Sequence, residues 1–187
     1  MRKLALIFLL FSTTTLLSAQ TNFRNTTWGM SKQEVKSVEN IELLKEIDNA
    51  LVYKTEIAGF QCYVYYIFIN DQLSRAKYYL LESHTNMNDH ISDYKKLKKL
   101  LTKKYGSPVE SEQIWRDDLY KGDYNDWGMA ISVGDMMYYS EWEIPETDVL
   151  IMLYGENYEI NHQIEYSSKK FAKKEKEQKE KETLDEL

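Results

Sequence analysis

Alternating and continuous apolar runs in the first half of the chain predict strands. Apolar and polar side chains alternate in residues 51–57, both faces are apolar in residues 60–69, and residues 73–81 return with a strand-like composition. Turn sequences separate these runs, Ala58-Gly59 before the second and Asn70-Asp71 before the third. The pattern predicts an antiparallel meander in which residues 60–69 form a central strand covered on both faces.

A helix signal precedes the meander. Ser31 can accept a hydrogen bond from the amide of Glu34, and the Glu34 carboxylate can reach back to the Ser31 amide. This reciprocal arrangement is a capping box, which marks the first turn of a helix. A short helix is therefore predicted from residue 32 to about residue 39, with a ragged continuation toward residue 45.

A longer helix is predicted between residues 87 and 105. Asn86 or Asn88 can cap its start, and Gly106 followed by Pro108 ends it. Lysines fall beside or opposite its apolar stripe, where they meet water. The residues of that stripe recur at spacings of three and four: Met87, Ile91, Tyr94, Leu97, Leu101 and Tyr105.

The pattern after this helix predicts more strands around one polar loop. The strands fall at residues 109–115, 127–133, 136–144, 149–154 and 158–166. Residues 117–126 form the loop, and the regular alternation in the last strand means that one face of the sheet meets solvent. The predicted fold is α+β: an antiparallel sheet of about six or seven strands with two helices packed on one face, plus a charged C-terminal helical tail.

The start of the chain has the order of a signal peptide. Arg2 and Lys3 precede an apolar run, and the small residues Ser18-Ala19 follow it. The run is too short for a membrane-spanning helix. We therefore expect a signal peptide at residues 1–19, cleavage near Ala19, one domain at residues 20–167, and a protein that is periplasmic or secreted.

Residues 168–187 form a charged tail without a core-forming pattern. Glu175 and Glu177 each stand four residues before a lysine, which is the favourable order for a solvated helix. Each such pair contributes only about 0.2–0.5 kcal/mol, so a helix here is expected to be frayed and exposed. A solvated spacer is favoured over a partner-binding coil, because apolar heptad positions are missing.

Composition narrows the classes of function. The net charge of −6 argues against nucleic acid or anionic lipid as partners, because both attract basic surfaces. Cys62 is the one cysteine, so no intramolecular disulfide can form, and its apolar neighbours favour an inert buried thiol over a reactive one. Fifteen tyrosines and six phenylalanines indicate broad aromatic sheet faces.

The histidines give a weak signal for metal binding. His84 and His90 flank the entry to the long helix near Asp89 and Asp93, and His162 lies in the last strand. No two histidines stand four residues apart on a helix, and no pair of cysteines accompanies them. Polar helix-entry residues and a locally hydrogen-bonded sheet histidine are favoured instead, so neither a metal nor another cofactor is expected.

The polar loop concentrates carboxylates beside aromatic rings. Asp117, Asp118, Asp123 and Asp126 share it with two tyrosines, and Trp127 follows. A solvated acidic loop is the favoured interpretation, and the alternative is a cation or sugar site, or the site of a metal-dependent hydrolase. The sequence contains neither a Gly-x-Ser-x-Gly elbow nor a glycine-rich phosphate loop, so no catalytic signature supports that alternative.

The opening of the domain resembles that of a group of exported bacterial domains. Trp28-Gly29-Met30-Ser31 followed by Glu34-Val35 is similar to the Trp-Gly-Met-Ser-x-x-Glu-Val opening of small domains of unknown function. Those domains are similar in turn to the SmpA/OmlA-type outer-membrane assembly lipoproteins and to the β-lactamase-inhibitor-like fold. The resemblance implies a helical pair on one face of an antiparallel sheet, and a role in binding other proteins. The lipid-anchor cysteine of the lipoproteins is missing here, which argues against a tethered assembly role.

These observations predict an exported, non-enzymatic module that binds a protein or another ligand. Tyrosine offers a large contact area with a polar end, so an open sheet face carrying Tyr63, Tyr65 and Tyr78 is the predicted binding surface. The expected partner is another envelope protein. A purely structural envelope protein is a third possibility, and the oligomeric state stays open.

Overall fold

A computed structural model describes residues 21–185, so the predicted signal peptide lies outside the described residues. The helices are α1 (Lys32–Val38), α2 (Asn88–Tyr105), α3 (Trp127–Val133) and α4 (Lys169–Asp185). The strands are β1 (Leu43–Ile47), β2 (Ala50–Ile57), β3 (Phe60–Ile69), β4 (Gln72–Leu80), β5 (Glu110–Trp115), β6 (Met136–Ile144), β7 (Thr147–Glu156) and β8 (Glu159–Ser168). A single 3-10 turn at Tyr124–Asp126 leads into α3.

The strands form one antiparallel sheet in the order β1-β2-β3-β4-β8-β7-β6-β5. Each half is a four-stranded meander, and the two halves meet where β4 pairs with β8. The predicted α+β class with an antiparallel sheet is confirmed. The predicted numbers of elements were too low, because the described residues contain eight strands and four helices.

β1 lies where a ragged continuation of the first helix was expected. α1 ends at Val38, and Glu39 already has an extended backbone with φ −81° and ψ 127°. β1 then pairs with β2 as an edge strand, with a bulge between Leu43 and Lys45. Most of its side chains are exposed, so it lacks the apolar alternation that identifies a half-buried strand in a sequence.

α3 is the second correction, because residues 127–133 were predicted as a strand. A mostly apolar run of seven residues has no periodicity that separates a buried strand from a buried helix. Gly128 lets this helix approach α2: a Cβ at this position would lie 2.6 Å from the Asn88 amide nitrogen and closer still to the backbone of Met87. Gly134 ends the helix in the left-handed conformation, with φ 89°.

The sheet has a covered face and an outer face. We use "outer face" for the strand side chains that point away from α2 and α3. On the covered face, Tyr66 of β3 donates a hydrogen bond to Glu39 at the end of α1, and Tyr94 of α2 bonds to Ser140 of β6 at 2.8 Å. α1 and α2 therefore lie on the same face of the sheet, and every second residue of β3, β6 and β7 is buried beneath the helices.

Several local predictions are confirmed. Ser31 and Glu34 form the reciprocal capping box at the start of α1. At the start of α2, the Asn86 side chain accepts a hydrogen bond from the Asn88 amide at 3.1 Å. Cys62 is fully buried, and this burial raises the pKa of its thiol to about 11, which keeps it protonated and unreactive near neutral pH.

The tail begins as a docked helix. The ring of Phe171 in α4 is 2% exposed and packs against Gly29. Glu175, one turn further, accepts hydrogen bonds from Ser74 at 2.9 Å and from Arg75 at 3.2 Å. The first two turns of α4 thus belong to the packed domain. Between residues 21 and 185, no helix combines the length and the apolar content needed to cross a membrane.

Candidate functional site

The outer face is ordered into cross-strand rows by the strand register. The first row reads, from β2 to β5, Lys54, Tyr63, Tyr79, Gln163, Met152, Tyr139 and Glu112. The second row reads, from β1 to β5, Lys45, Val52, Tyr65, Lys77, Glu165, Leu150, Glu141 and Glu110. The third row reads, from β1 to β6, Ile47, Ala50, Ile67, Arg75, Ser167, Asp148 and Glu143.

A shallow groove of about 460 Å³ lies on this face where β1, β2 and β3 run side by side. Tyr63 and Tyr65 form one wall, and their rings meet edge to face with centroids 6.4 Å apart. Leu44 of the edge strand faces them and is 57% exposed. The ammonium group of Lys77 lies 5.3 Å from the centre of the Tyr65 ring. Aromatic surface, an exposed aliphatic edge and nearby cations together suit contact with another molecule.

Tyr78, the third predicted binding residue, lies on the covered face and is 9% exposed. A bulge at Ser74 of β4 explains this placement: Ile67 pairs with Arg75 and Phe68 pairs with Leu73, so Ser74 has no partner in β3 and the pairing shifts by one residue. Such a shift moves each later side chain to the opposite face of the sheet. Tyr79 consequently takes the place beside Tyr63, and its hydroxyl donates to Asn161 at 2.6 Å.

Charge on the outer face is divided between the two halves of the sheet. Within the three rows, all charged residues of β1–β4 are basic: Lys45, Lys54, Arg75 and Lys77. All charged residues of β5–β8 in those rows are acidic: Glu110, Glu112, Glu141, Glu143, Asp148 and Glu165. Within these rows the outer face is therefore basic over β1–β4 and acidic over β5–β8, while Glu56, the next outward residue after Lys54 on β2, adds one carboxylate to the basic half.

Several carboxylates in the acidic half of the outer face lie close enough to one another to repel. Partial burial raises the pKa of Glu141, and the neighbouring carboxylates of Asp148, Glu110 and Glu143 raise it further. Tyr139 donates a hydrogen bond to Glu110, and this bond raises the pKa of the Tyr139 hydroxyl to about 12. One cation already lies here, because Lys169 of α4 pairs with Glu143 at 3.1 Å and with Asp148 at 3.3 Å.

The acidic loop uses most of its carboxylates for its own backbone and side chains. Asp117 accepts from the Leu119 amide at 2.8 Å, and Asp123 accepts from the Asn125 amide at 2.9 Å. Asp118 pairs with Lys121 at 2.9 Å. Over residues 21–185, no group of three or more His, Cys, Asp or Glu side chains has an arrangement that could hold a metal ion. The geometry thus gives no support to a hydrolytic metal site in the loop.

The three histidines come together beneath the start of α2. The rings of His84 and His90 meet edge to face with centroids 4.5 Å apart, and His84 Nε2 lies 2.6 Å from a carboxylate oxygen of Asp93. His162 lies on the covered face, 6.1 Å from the Tyr94 ring, and its Nε2 has no hydrogen-bond partner. The expectation that His162 would be hydrogen-bonded locally is therefore wrong for Nε2, because the strand aims this ring into the core.

Sequence reasoning missed one buried charged cluster. Arg24 donates two hydrogen bonds of 2.9 Å to Glu39, and Tyr66 donates a third. Burial opposes ionisation of Glu39, but the bonds from Arg24 and Tyr66 outweigh it and hold the pKa of the carboxyl below its ordinary value. The cluster joins the segment before α1 to the sheet. A role in stability is sufficient to explain this cluster, since the Glu39 carboxylate accepts hydrogen bonds from both the Arg24 guanidinium and the Tyr66 hydroxyl.

Comparison with known proteins leaves the chain without an assigned relative. No protein-family profile, curated protein or solved structure matches it. The similarity of its opening residues to exported bacterial domains therefore remains a resemblance, and function must be argued from the geometry of the outer face.

Proposed function

We propose that this protein is an exported, non-enzymatic binding module, and that the outer face of its sheet is the surface that contacts the partner. The observation that carries the proposal is the groove beside Tyr63 and Tyr65, which are both predicted binding residues and which lie next to exposed Leu44. Tyrosine is enriched among the residues that dominate protein interfaces.

The remaining polar clusters favour binding over catalysis. Three of the four loop carboxylates, Asp117, Asp118 and Asp123, are engaged in local hydrogen bonds or ion pairs, and the Glu39 carboxylate is occupied by Arg24 and Tyr66. The Cys62 thiol is buried and protonated. None of these groups pairs a free nucleophile with a base inside a cavity, which is the arrangement that covalent catalysis requires.

Export is proposed from residues 1–19, whose order of charges, apolar run and small residues matches a signal peptide. Sequencing the N-terminus of the protein recovered from the cell envelope tests this point. A first residue at Gln20 supports export, and an intact leader on protein confined to the cytosol contradicts it.

A crosslinking experiment tests the binding surface directly. A photoreactive amino acid is placed at position 65, on the outer face, or at position 158, in the β7–β8 hairpin, where Tyr158 is 70% exposed and its backbone amide donates to Ser132 of α3. Illumination in intact cells followed by mass spectrometry identifies the crosslinked molecule. We expect a defined product from position 65 and none from position 158.

Alanine variants supply the matched control. Replacing Tyr63 and Tyr65 together should remove the partner from a pull-down, because the groove loses one wall. The Tyr158→Ala variant also loses an exposed tyrosine but should retain the partner. Unchanged capture by a correctly folded Tyr63/Tyr65 variant would show that the outer face is not the binding surface.

A further inference from the structure

The basic and acidic halves of the outer face are arranged symmetrically about the centre of the sheet. Each strand of one half has a counterpart in the other half at the same distance from the centre. The strand order places β1 and β5 at the two edges, β2 and β6 next to them, then β3 and β7, with β4 and β8 in the middle. In the second row, Lys45 at one edge therefore matches Glu110 at the other. Lys77 and Glu165 face each other across the centre.

We propose that the outer face binds the outer face of a second copy of this chain, forming a two-fold dimer in which the basic half of each copy lies on the acidic half of the other. This inference rests on the proposed function, because it uses the same face and names its occupant. A closed dimer of this kind buries the same self-complementary patch on both subunits.

The direction of the two-fold axis follows from the charges. An axis parallel to the strands, passing between β4 and β8, places β1 over β5, β2 over β6, β3 over β7 and β4 over β8. Lys45 then meets Glu110 of the other copy, and Lys77 meets Glu165. An axis across the strands would instead place lysines on lysines, so electrostatics selects one of the two arrangements.

The apolar residues match under the same operation. Tyr65 of β3 and Leu150 of β7 share the second row, and Tyr63 and Met152 share the first row. The axis places Tyr65 over Leu150 and Tyr63 over Met152 of the other copy. Aromatic and aliphatic side chains are thereby buried between the flanking ion pairs, which is the usual plan of an interface with an apolar centre.

The available area is adequate for a stable interface. Eight strands about 4.8 Å apart span about 38 Å, and five residues along each strand span about 17 Å. The rows thus cover roughly 650 Å² in projection, and protruding side chains add to this area. A standard interface buries about 800 Å² on each partner. Two sheets packed face to face through such an area resemble the layers of a β-sandwich.

Uncompensated charge supplies an independent argument. Lys45 and Lys54 form no ion pair with any residue in the described part of the chain. On the other half, the carboxylates around Glu141 crowd one another, and Lys169 pairs with two of them, Glu143 at 3.1 Å and Asp148 at 3.3 Å. Under the two-fold axis above, a second copy brings the carboxylate of Glu110 to the unpaired Lys45, whereas Lys54 lies over Tyr139 and Glu141 lies over Val52.

Charge exchange between variants tests the proposal. Sedimentation velocity measures self-association of the purified chain, of a Lys45→Glu/Lys77→Glu variant and of a Glu110→Lys/Glu165→Lys variant. We expect each variant alone to self-associate at least about tenfold more weakly, because like charges then face each other. An equimolar mixture of the two should regain the dimer, since every exchanged pair is again opposite in sign.

A matched control and an orientation test complete the experiment. Lys99→Glu/Lys103→Glu makes the same charge change on the exposed side of α2, so this variant should dimerise normally. A short bifunctional maleimide should crosslink a Tyr65→Cys/Leu150→Cys variant into a dimer, whereas the Tyr65→Cys variant alone should stay uncrosslinked, because facing sheets lie about 10 Å apart and the two cysteines at position 65 lie further from each other. Circular dichroism of every variant checks that the fold is retained. If a variant fails to fold, the unmodified chain still tests the proposal, because raised salt should weaken an association that depends on ion pairs.

The results also separate this inference from the proposed function. A chain that is monomeric at every concentration and salt, or a dimer that neither charge exchange weakens, overturns self-pairing. The proposed function survives that result if position 65 still crosslinks to a different protein. Loss of both self-association and crosslinking at position 65 contradicts the two proposals together.

Discussion

His162 shows how one residue can make stability depend on pH. Its side chain is almost fully buried, its Nε2 has no partner, and burial lowers its pKa from the ordinary value of 6.5 to about 3. The folded protein therefore keeps this imidazole neutral where the unfolded chain binds a proton. A group whose pKa is depressed in the folded state in this way costs stability as the pH falls below 6.5.

We expect the free energy of unfolding to fall by about 2 kcal/mol between pH 7 and pH 5, because each unit below 6.5 costs about 1.4 kcal/mol for one proton. His90, whose pKa is also lowered by burial, adds loss of the same sign. Glu39 contributes only at lower pH, since the pKa of this carboxyl lies below 4.5. Urea denaturation at the two pH values measures the change.

The matched variant for this prediction is His162→Phe, which keeps the aromatic contact with Tyr94 but cannot titrate. Its stability should depend less steeply on pH than that of the unmodified chain over the same interval. Equal slopes for the two proteins would mean that His162 is protonated in the folded state and that water reaches its ring.

At the scale of elements, α3 is held against α2 by a contact that only glycine permits. A Cβ on Gly128 would overlap the backbone where α2 begins, and Asn88 locks the junction by accepting from the Gly128 amide at 2.5 Å and donating to Tyr124 at 2.9 Å. We expect Gly128→Ala to destabilise the protein by about 2–3 kcal/mol, because neither backbone can move without losing these bonds.

Gly122→Ala is the control for this prediction, since nothing lies within 4 Å of a Cβ at that position in the same loop region. Its effect should stay within about 0.5 kcal/mol. Thermal and urea denaturation of the two variants compare them directly. If Gly128→Ala were as stable as Gly122→Ala, the close packing of α3 on α2 described above would be incorrect.

The elements that the sequence predicts well are those with their own local signals. The capping box at Ser31 and the apolar stripe of α2 each specify a helix without help from the rest of the chain. β1 and α3 were missed because tertiary pairing, by the neighbouring strand in one case and by the start of α2 in the other, decides their conformation.

The predicted site shows the same division. Tyr63 and Tyr65 stand two residues apart on one strand, so period-two alternation places them on a common face from the sequence alone. Placing Tyr78 with them required the register between two strands, and the bulge at Ser74 shifted that register by one residue. The separation of charge on the outer face could not be predicted at all, because it depends on the order of eight strands.

At the scale of the whole molecule, the boundary between domain and tail lies inside α4. Phe171 fills a site against Gly29, and Glu175 bonds to Ser74 and Arg75, so the first two turns of the helix contribute to the packed structure. The later turns have exposed side chains wherever these are described. Mixed Lys and Glu without apolar heptad positions suits a segment that remains in water.

Two truncations test this boundary. A chain that ends at Glu177 retains both docked turns and should unfold within about 0.5 kcal/mol of the full chain. A chain that ends at Ser168 loses the Phe171 ring and the Glu175 bonds, and should be less stable by about 3 kcal/mol, since burial of one phenylalanine contributes most of that amount. Phe171→Ala in the full chain should reproduce most of the loss, because it empties the same site while keeping the helix. Urea denaturation curves with equal midpoints for all four proteins would show that α4 does not dock, and the domain would then end at β8.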